Sequence, residues 1–251
     1  MLVAAIYDIH ANLPALEAVL EDIRQAEVDL IVVGGDVVPG PMPRETIQNL
    51  LGLDIPMKFL CGNGDREVLA QMRGVETEWY RAAPEQWREP VRWTARQLGP
   101  ELERQLVTWP KTLSTEIEGI GEVLFCHATP RNDTECFTRL TPEDQLLTVF
   151  DGVSARLAVC GHTHMQFDRT IGEIRVVNAG SVGMPFGKPG AYWLLLGAGV
   201  QLRHTPYDLA KVAGRIRATQ YPQAEEFAER NVLQPPSEEK MLEAFGCVEL
   251  K

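Results

Sequence analysis

The stretch Ala158-Val159-Cys160-Gly161-His162-Thr163-His164 decides how this chain is interpreted. Residues 157–160 are apolar without interruption, which is typical of a short buried strand, and Gly161 then favours a turn. Residues i and i+2 of an extended chain point to the same side, so His162 and His164 are predicted to present two imidazoles to one metal ion or to two adjacent ions. Such a pair is also typical of loop or core histidines, so the rest of the chain must decide.

The composition is that of an ordinary globular chain: of 251 residues, 24% are charged and 45% are hydrophobic. Its apolar runs have the length of strands, so we expect no membrane span, and residues 2–6 look like a strand rather than a signal peptide. The five cysteines are scattered without a CxxC pair, which predicts no disulfide framework and a cytoplasmic location. A formal net charge of −11 makes nucleic-acid or anionic-membrane binding unfavourable.

The first 65 residues predict a β-α-β-α-β unit with short turns at the carboxyl ends of its strands. Predicted strands at residues 2–6, 30–33 and 57–60 are followed by Asp8, Asp36 and Asn63. These three residues are separated by 28 and 27 positions, close to the ~30 residues of one βαβ unit. We therefore expect them at one edge of a sheet, where open α/β sheets bind ligands.

The remainder of the chain predicts a second set of strands. A hairpin at residues 113–118 and 122–126 delivers His127, a helix covers 142–150, and further strands lie at 166–171, 174–177, 191–196 and 200–205. Residues 75–110 predict two helices beside the site with tryptophans as core; the alternative is that part of this segment contacts substrate. Residues 207–251 predict a helical cover. Without repeats or linkers, residues 1–251 are interpreted as a single domain.

The predicted strand ends together carry seven residues with metal-binding side chains. They are Asp8, His10, Asp36, Asn63, His127, His162 and His164. Two carboxylates, four imidazoles and one amide suit two divalent cations with one carboxylate bridging them. Any one of them could be a turn-former or a core histidine, but their joint placement predicts a binuclear metal centre.

These motifs resemble the calcineurin-like metallophosphoesterase superfamily, in its small prokaryotic branch. The resemblance covers nearly the whole chain, including the loop at residues 178–183. It implies an α/β fold, namely a four-layer α/β/β/α sandwich of two mixed sheets with the dimetal site at the strand carboxyl ends. It also implies that one metal ion is held by Asp8, His10, Asp36 and His164. The other would be held by Asp36, Asn63, His127 and His162, so that Asp36 bridges.

Two positions depart from the pattern of the family. Tyr7 stands where relatives usually have serine, and Gly64 stands where many relatives have a histidine that acts as general acid. Asp65 is expected to cap the helix that begins after it, at Arg66, and a catalytic role is the alternative. Three cysteines beside the proposed ligands are expected to be packing residues: Cys61, Cys126 and Cys160.

The sequence thus predicts a phosphohydrolase for a small phosphate ester or phosphoanhydride, nucleotides and dinucleoside polyphosphates included. Direct in-line attack by a metal-bridging hydroxide is expected, and the ligand set suits Mn, Fe, Co, Ni or Zn. Asn12, Arg131 and Phe186 are candidate substrate contacts; a helix cap, a surface cation and a loop aromatic are the respective alternatives. A phosphodiesterase or nuclease is disfavoured by the acidic charge, and a non-catalytic metal-binding scaffold by the complete ligand set. A homodimer is left open.

Overall fold

Two five-stranded sheets form the centre of the structure, which is a computed structural model that describes residues 1–246 and 250. The first sheet has the order β10-β9-β1-β2-β3 and consists of β1 (Val3–Ile6), β2 (Leu30–Val33), β3 (Met57–Phe59), β9 (Ala191–Leu196) and β10 (Val200–Thr205). The second has the order β4-β5-β6-β8-β7 and consists of β4 (Thr112–Ile117), β5 (Gly121–Cys126), β6 (Leu157–Cys160), β7 (Phe167–Ile171) and β8 (Ile174–Asn178). Each sheet combines parallel and antiparallel pairs, as predicted.

Helices cover the outer faces of the sheets and connect their strands. Those of the first half are α1 (Leu13–Gln25), α2 (Pro43–Leu51), α3 (Asn63–Met72), α4 (Glu78–Ala82), α5 (Glu85–Gln97) and α6 (Pro100–Leu106). The others are α7 (Glu143–Leu147), α8 (Leu209–Arg217), α9 (Ala224–Phe227), a π-helical turn (Ala228–Leu233) and α10 (Glu238–Gly246). Within the residues that the structure describes, no helix has both the length and the apolar character needed to cross a bilayer.

Strand β1 shows why the chain forms four layers. Val3 and Ala5 face the second sheet, whereas Ala4 and Ile6 face the helices on the other side, and all four side chains are fully buried. A strand that is buried on both faces must be apolar at every position, which is the pattern in the sequence. On the far side, the second sheet packs against residues around α7. The four-layer sandwich of two mixed sheets is therefore confirmed.

The segment at residues 75–110 contains three helices, α4, α5 and α6, rather than the predicted two. Its tryptophans form only part of the core. Trp109 is buried and stacks on Phe59 at 4.9 Å between ring centroids, but Trp79 and Trp87 are 41% and 56% exposed. Trp87 shares the face of α5 that carries the buried Pro90, Val91 and Thr94, but it lies in the first turn of the helix, where its side chain stays exposed. The proximity of this segment to the site and the single-domain interpretation remain predictions.

Tyr7 joins the two sheets next to Asp8. Its ring is fully buried between them, and its hydroxyl donates a hydrogen bond to the carbonyl of Val159 at 3.1 Å. A Cβ atom on Gly34 would lie 1.9 Å from the Tyr7 ring, and one on Gly161 would lie 2.6 Å from it. The large aromatic side chain therefore requires glycine in the turns after β2 and β6.

Candidate metal centre

All seven predicted ligand residues lie at the same edge of the sandwich. Asp8 and His10 follow β1, Asp36 follows β2 and Asn63 begins α3 directly after β3. The second sheet contributes the three remaining residues, with His127 after β5 and His162 and His164 after β6. Two strands of one sheet and two of the other thus end at a common centre, with α3 completing it.

Five of these seven residues have a left-handed backbone conformation, which residues other than glycine rarely adopt. Their φ angles are 52° for Asp8, 47° for His10, 49° for Asp36, 65° for His162 and 58° for His164. Left-handed backbone at a residue other than glycine costs free energy, and it persists where surrounding contacts impose it. Here the turns after β1 and β2 bind each other, since the amide of His10 donates to the carbonyl of Asp36 at 2.9 Å.

The first group of ligand atoms comprises Asp8, His10 and His164. The Nε2 atoms of the two histidines lie 3.2 Å apart. The Oδ1 atom of Asp8 lies 3.3 Å from Nε2 of His164 and 3.9 Å from Nε2 of His10. These are distances at which three donor atoms can share one cation.

The second group lies beside the first and shares carboxylates with it. Nε2 of His127 lies 3.6 Å from Oδ1 of Asp36 and 3.9 Å from Oδ1 of Asp8. The amide group of Asn63 lies 3.0 Å from Nε2 of His127 and 3.0 Å from Nδ1 of His162. The other oxygen of Asp36, Oδ2, turns towards the first group, at 3.8 Å from the His10 ring.

Backbone carbonyl groups fix the orientation of all four imidazoles. Each ring binds one carbonyl and directs its other nitrogen towards the centre. The carbonyl groups belong to Pro39 for His10, Gly34 for His127, Thr134 for His162 and Met184 for His164. A carbonyl oxygen only accepts, so the ring nitrogen that faces it carries the proton of a neutral imidazole. The nitrogen that faces the centre then has a free lone pair, as a metal ligand requires.

This arrangement fits divalent cations, because buried acceptor atoms of the carboxylates and imidazoles converge at its centre. Oδ2 of Asp8 accepts the amide of His162 at 2.8 Å, but the buried Oδ1 has no hydrogen-bond partner among the described residues. The lone pairs of His10 and His164 face each other as well. Buried acceptors that lack a partner are costly, and a cation at their centre removes that cost.

Burial and neighbouring charges lower the pKa of two of the four histidines and raise that of the other two. Burial, together with the neighbouring imidazoles, lowers the pKa of His10 and His162 to about 3. Burial also opposes the charged forms of His127 and His164, but the nearby carboxylates, chiefly Asp36 and Asp8 respectively, outweigh it and raise the pKa of each. Two rings are thus neutral throughout the ordinary pH range, and two retain protons to higher pH.

The pKa values of the two carboxylates are shifted in opposite directions. Burial raises the pKa of Asp36 to about 6, with a further contribution from the negative charge of Asp8. For Asp8 the effect of burial is outweighed by the surrounding histidines, chiefly His164, and the pKa is lowered. Asp8 is therefore anionic even without a metal ion.

Backbone and proline atoms occupy the space in which a side chain at position 64 would begin. A Cβ atom on Gly64 would lie 2.7 Å from the carbonyl oxygen of Val38 and 2.8 Å from the ring of Pro39. The amide of Gly64 instead donates to Oδ1 of Asp36 at 2.7 Å. A histidine at position 64 therefore cannot be accommodated without a shift of the backbone.

The helix expected to begin after Asp65, at Arg66, begins earlier, at Asn63, so that prediction was wrong by three residues. Asp65 lies in its first turn, and its carboxylate accepts hydrogen bonds from the amides of Gly62 and Val38, both at 3.0 Å. The side chain thereby satisfies the amide at the start of α3 and ties the helix to the turn after β2. Both oxygens are committed to structural bonds.

The three candidate substrate contacts occupy different environments. Asn12 is fully buried, donates to the carbonyl of Gly183 at 3.0 Å and accepts the amide of Ala15 at 3.3 Å, which caps α1. Both polar atoms of the Asn12 amide are therefore used in bonds within the fold and do not face a substrate. Arg131 lines a small cavity next to His127.

Arg131 is also paired with the buried Glu135, at 2.9 Å between Nε and Oε1. Phe186 lies at the rim of the first group, where its ring stacks on His164 with 5.3 Å between centroids and 22° between planes. Arg131 and Phe186 remain candidate contacts.

One cysteine that no sequence pattern indicated lies beside the centre, against the ring nitrogen of His162 that faces away from Asn63. The sulfur of Cys136 lies 3.4 Å from Nε2 of His162. Cys136 follows no strand and has no regular spacing to the ligands, so no sequence signal distinguished it. By contrast, the sulfurs of Cys126 and Cys160 contact backbone carbonyl groups. The sulfur of Cys61 contacts the carbonyl of Gly62 in the same way, and the expectation that all three are packing residues stays a prediction.

Comparison with known proteins gives a consistent result. Residues 1–197 match the sequence model of the calcineurin-like phosphoesterase superfamily domain. An uncharacterised protein of Methanocaldococcus jannaschii is 30% identical over 200 residues, which cover 73% of this chain and 77% of that protein. These matches rest on sequence alone and extend over most of the chain.

Two solved structures share the architecture. A metallophosphoesterase from Sphaerobacter thermophilus is 26% identical, with a TM-score of 0.69 over 92% of this chain and 98% of that one. A hypothetical protein from Pyrococcus horikoshii is 22% identical and shows the same fold, with a TM-score of 0.79 over 94% of this chain and 99% of that one. The chain therefore belongs to the calcineurin-like phosphoesterase superfamily and is a metallophosphoesterase.

Proposed function

We propose that this metallophosphoesterase hydrolyses small phosphate esters or phosphoanhydrides with the help of two divalent cations. The observation that carries the proposal is the convergence of acceptors at one buried edge, where four oriented imidazoles surround two carboxylates and Oδ1 of Asp8 has no described hydrogen-bond partner. Such a set of nitrogen and oxygen ligands suits Mn, Fe, Co, Ni or Zn. The ions would lower the pKa of a water molecule and neutralise phosphoryl oxygens.

The distances support the assignment of ligands to two sites. Asp8, His10, Asp36 and His164 would hold one ion, and Asp36, Asn63, His127 and His162 would hold the other. Asp36 is assigned as the bridge because its two oxygens turn to different groups, Oδ2 towards His10 at 3.8 Å and Oδ1 towards His127 at 3.6 Å. Asp8 directs only Oδ1 at the centre, at 3.3 Å from His164 and 3.9 Å from His127, since its Oδ2 accepts the amide of His162. Asp36 directs both oxygens there, although its Oδ1 also accepts the amide of Gly64.

The charges of the residues favour a phosphorylated substrate. Two divalent cations bring four positive charges, and the carboxylates of Asp8 and Asp36 remove two of them. The loaded centre is therefore cationic within a chain whose net charge is −11. A local positive field in an anionic protein attracts small anions to the site, while the outer surface repels long polyanions.

A cytoplasmic location is part of the same proposal. Four cysteines, Cys61, Cys126, Cys136 and Cys160, are free in the described part of the chain. Unpaired cysteines are usual where thiols are kept reduced.

The test is a screen of the metal-free protein after reconstitution with each of the five metals. Phosphomonoesters, phosphodiesters and dinucleoside polyphosphates would be offered in parallel, with the metal-free protein as the control. We expect metal-dependent release of phosphate or nucleotide from small substrates. Failure to hydrolyse any of them in the presence of bound metal would refute the proposal.

A further inference from the structure

The ring of Phe186 lies between helix α10 and the ligand residue His164. Phe186 stacks on His164 at 5.3 Å between ring centroids, and Phe245 of α10 lies 6.2 Å from Phe186 at an angle of 49°. Both phenyl rings are partly exposed. The last turn of the helix thus stands at the rim of the site, next to the first group of ligand atoms.

The beginning of this helix is attached to both loops that border the site. Glu238 forms an ion pair with Arg139 at 2.8 Å, in the loop that follows His127. The carbonyl of Pro236 accepts the amide of Gly187 at 2.8 Å, directly after Phe186 in the second loop. A side chain at position 187 would collide with Glu238, since its Cβ would lie 2.9 Å from Cγ of that residue. The helix is therefore held in place rather than resting loosely on the surface.

The net negative charge of α10 disfavours the approach of polyanions to the site. The nine residues of the helix include three glutamates, Glu238, Glu239 and Glu243, and one lysine, Lys240. Proteins that follow a nucleic-acid backbone place lysine and arginine along its path. An acidic helix at the rim combines steric hindrance with electrostatic repulsion of a long phosphodiester chain.

We propose that α10 forms a wall of the substrate site and that Phe245 determines specificity by limiting the size of the substrate. The site then accepts small phosphate esters and anhydrides and excludes oligonucleotides. The inference rests on the proposed function and deepens it. The residues of this wall lie beyond residue 197, where the match to the family's sequence model ends.

The test compares two substrates with the same leaving group in the full-length, metal-loaded protein. One is p-nitrophenyl phosphate, and the other is the p-nitrophenyl ester of a short thymidine oligonucleotide. In Phe245→Ala we expect the ratio of kcat/KM for the oligonucleotide to that for the small ester to rise about 10-fold, the scale on which pocket size discriminates between substrates. Trp87→Ala removes an aromatic side chain that is 56% exposed on α5, and it should leave the ratio unchanged.

A second variant keeps the proposal testable if Phe245→Ala does not fold. Glu238→Gln preserves the shape of the side chain but removes its ion pair with Arg139, so the helix should loosen and the ratio should rise less than in Phe245→Ala. A ratio equal to that of the parent in both folded variants would overturn the proposal.

A measurement of binding separates this inference from the proposed function. Fluorescence anisotropy would follow an unmodified thymidine oligonucleotide binding to the same metal-loaded samples, and calorimetry would follow inorganic phosphate. We expect tighter oligonucleotide binding in Phe245→Ala and unchanged phosphate binding, even if the parent protein hydrolyses neither ester. Absence of hydrolysis in the parent protein would refute the proposed function alone. Unchanged oligonucleotide binding in Phe245→Ala would refute the proposal that α10 forms a wall of the site.

Discussion

The Nε2 atoms of His10 and His164 lie 3.2 Å apart, although the two residues are 154 positions apart and follow strands of different sheets. The carbonyl of Met184 binds the other ring nitrogen of His164 at 2.7 Å, and the carbonyl of Pro39 binds the ring of His10. Two imidazole lone pairs therefore face each other in a buried site. Their approach is favourable only with a cation between them or with a proton on one ring.

The bridging role of Asp36 predicts that one substitution affects both ions. Asp36→Asn should remove both metals and reduce phosphatase activity at least about 100-fold, because ligand substitutions exceed the 10–100-fold effect of outer-shell changes. Elemental analysis of the purified variant measures the metal content. Asp151→Asn, which neutralises an exposed carboxylate, is the matched control. Two metals per chain in Asp36→Asn would show that Asp36 is not the bridge.

The raised pKa values of His127 and His164 predict that metal affinity depends on pH. Their protons persist to higher pH than those of an ordinary imidazole, so metal binding must displace them, and affinity should fall as the pH of the measurement is lowered from 8 to 6. Asp36, whose pKa is raised to about 6, should add a further proton at the lower end of this range. His10 and His162, whose pKa is about 3, should contribute no protons in this range. Calorimetry in two buffers of different ionisation enthalpy counts the released protons.

The control for this measurement is His204→Gln, because His204 is the histidine outside the site. Its ring binds the carbonyl of Pro189 instead. The variant should show the same release of protons as the parent. Absence of proton release at pH 7, above the pKa of Asp36, would contradict the assignment of His127 and His164 as ligands.

The packing role of the cysteines predicts intact metal content after their removal. Cys61→Ala, Cys126→Ala and Cys160→Ala should retain both metals and lose about 1 kcal/mol of stability each through lost packing. A thiolate is needed to bind metal, and burial raises the pKa of Cys126 to about 12. Elemental analysis and urea unfolding test both parts. Loss of a metal in any of the three would add that cysteine to the ligands.

The crowding around Gly64 predicts opposite effects of alanine at two helical glycines. Gly64→Ala should destabilise the protein by about 1–3 kcal/mol, because its Cβ would lie 2.7 Å from the carbonyl of Val38. Gly214→Ala in α8 has open space around it and should stabilise by about 1 kcal/mol, the helix propensity difference. Urea unfolding measures both. Equal effects of the two substitutions would contradict the geometry at position 64.

The absence of a histidine at position 64 predicts a strong dependence on the leaving group. General-acid assistance is typically worth ~10²–10⁴ in rate, and without it alkyl phosphates should react much more slowly than aryl phosphates or anhydrides. The measurement is kcat/KM across phosphates of graded leaving-group pKa, and a shallow dependence would contradict the prediction. Gly64→His is unsuitable as a test because its side chain would collide with Val38 and Pro39.

Asp65 is the remaining candidate for a proton donor, and it can be tested in the same series. Asp65→Asn should leave the slope unchanged, because the parent carboxylate is fully buried and binds the amides of Gly62 and Val38. A steeper slope in this variant would show that Asp65 supplies the proton. The stability of the variant is measured alongside, since it also loses a bond at the start of α3.

The sequence by itself determined the architecture and the set of residues at the centre. Unbroken apolar runs such as Leu157–Cys160 identify strands buried on both faces. Regular spacing of Asp8, Asp36 and Asn63 places the residues after parallel strands at one edge. Both signals are local or periodic, so they can be recognised without knowledge of the contacts.

Only the tertiary structure decided how these residues are held and what surrounds them. The left-handed backbone of His162, the carbonyl groups that orient the imidazoles, the capping role of Asn12 and the packing of Pro39 against Gly64 all depend on contacts between distant segments. The same is true of Cys136 and Phe245, which contact His162 and Phe186 from an irregular loop and from the last described helix. Hydrogen bonding and close packing depend on positions in space, and no local pattern in the chain specifies them.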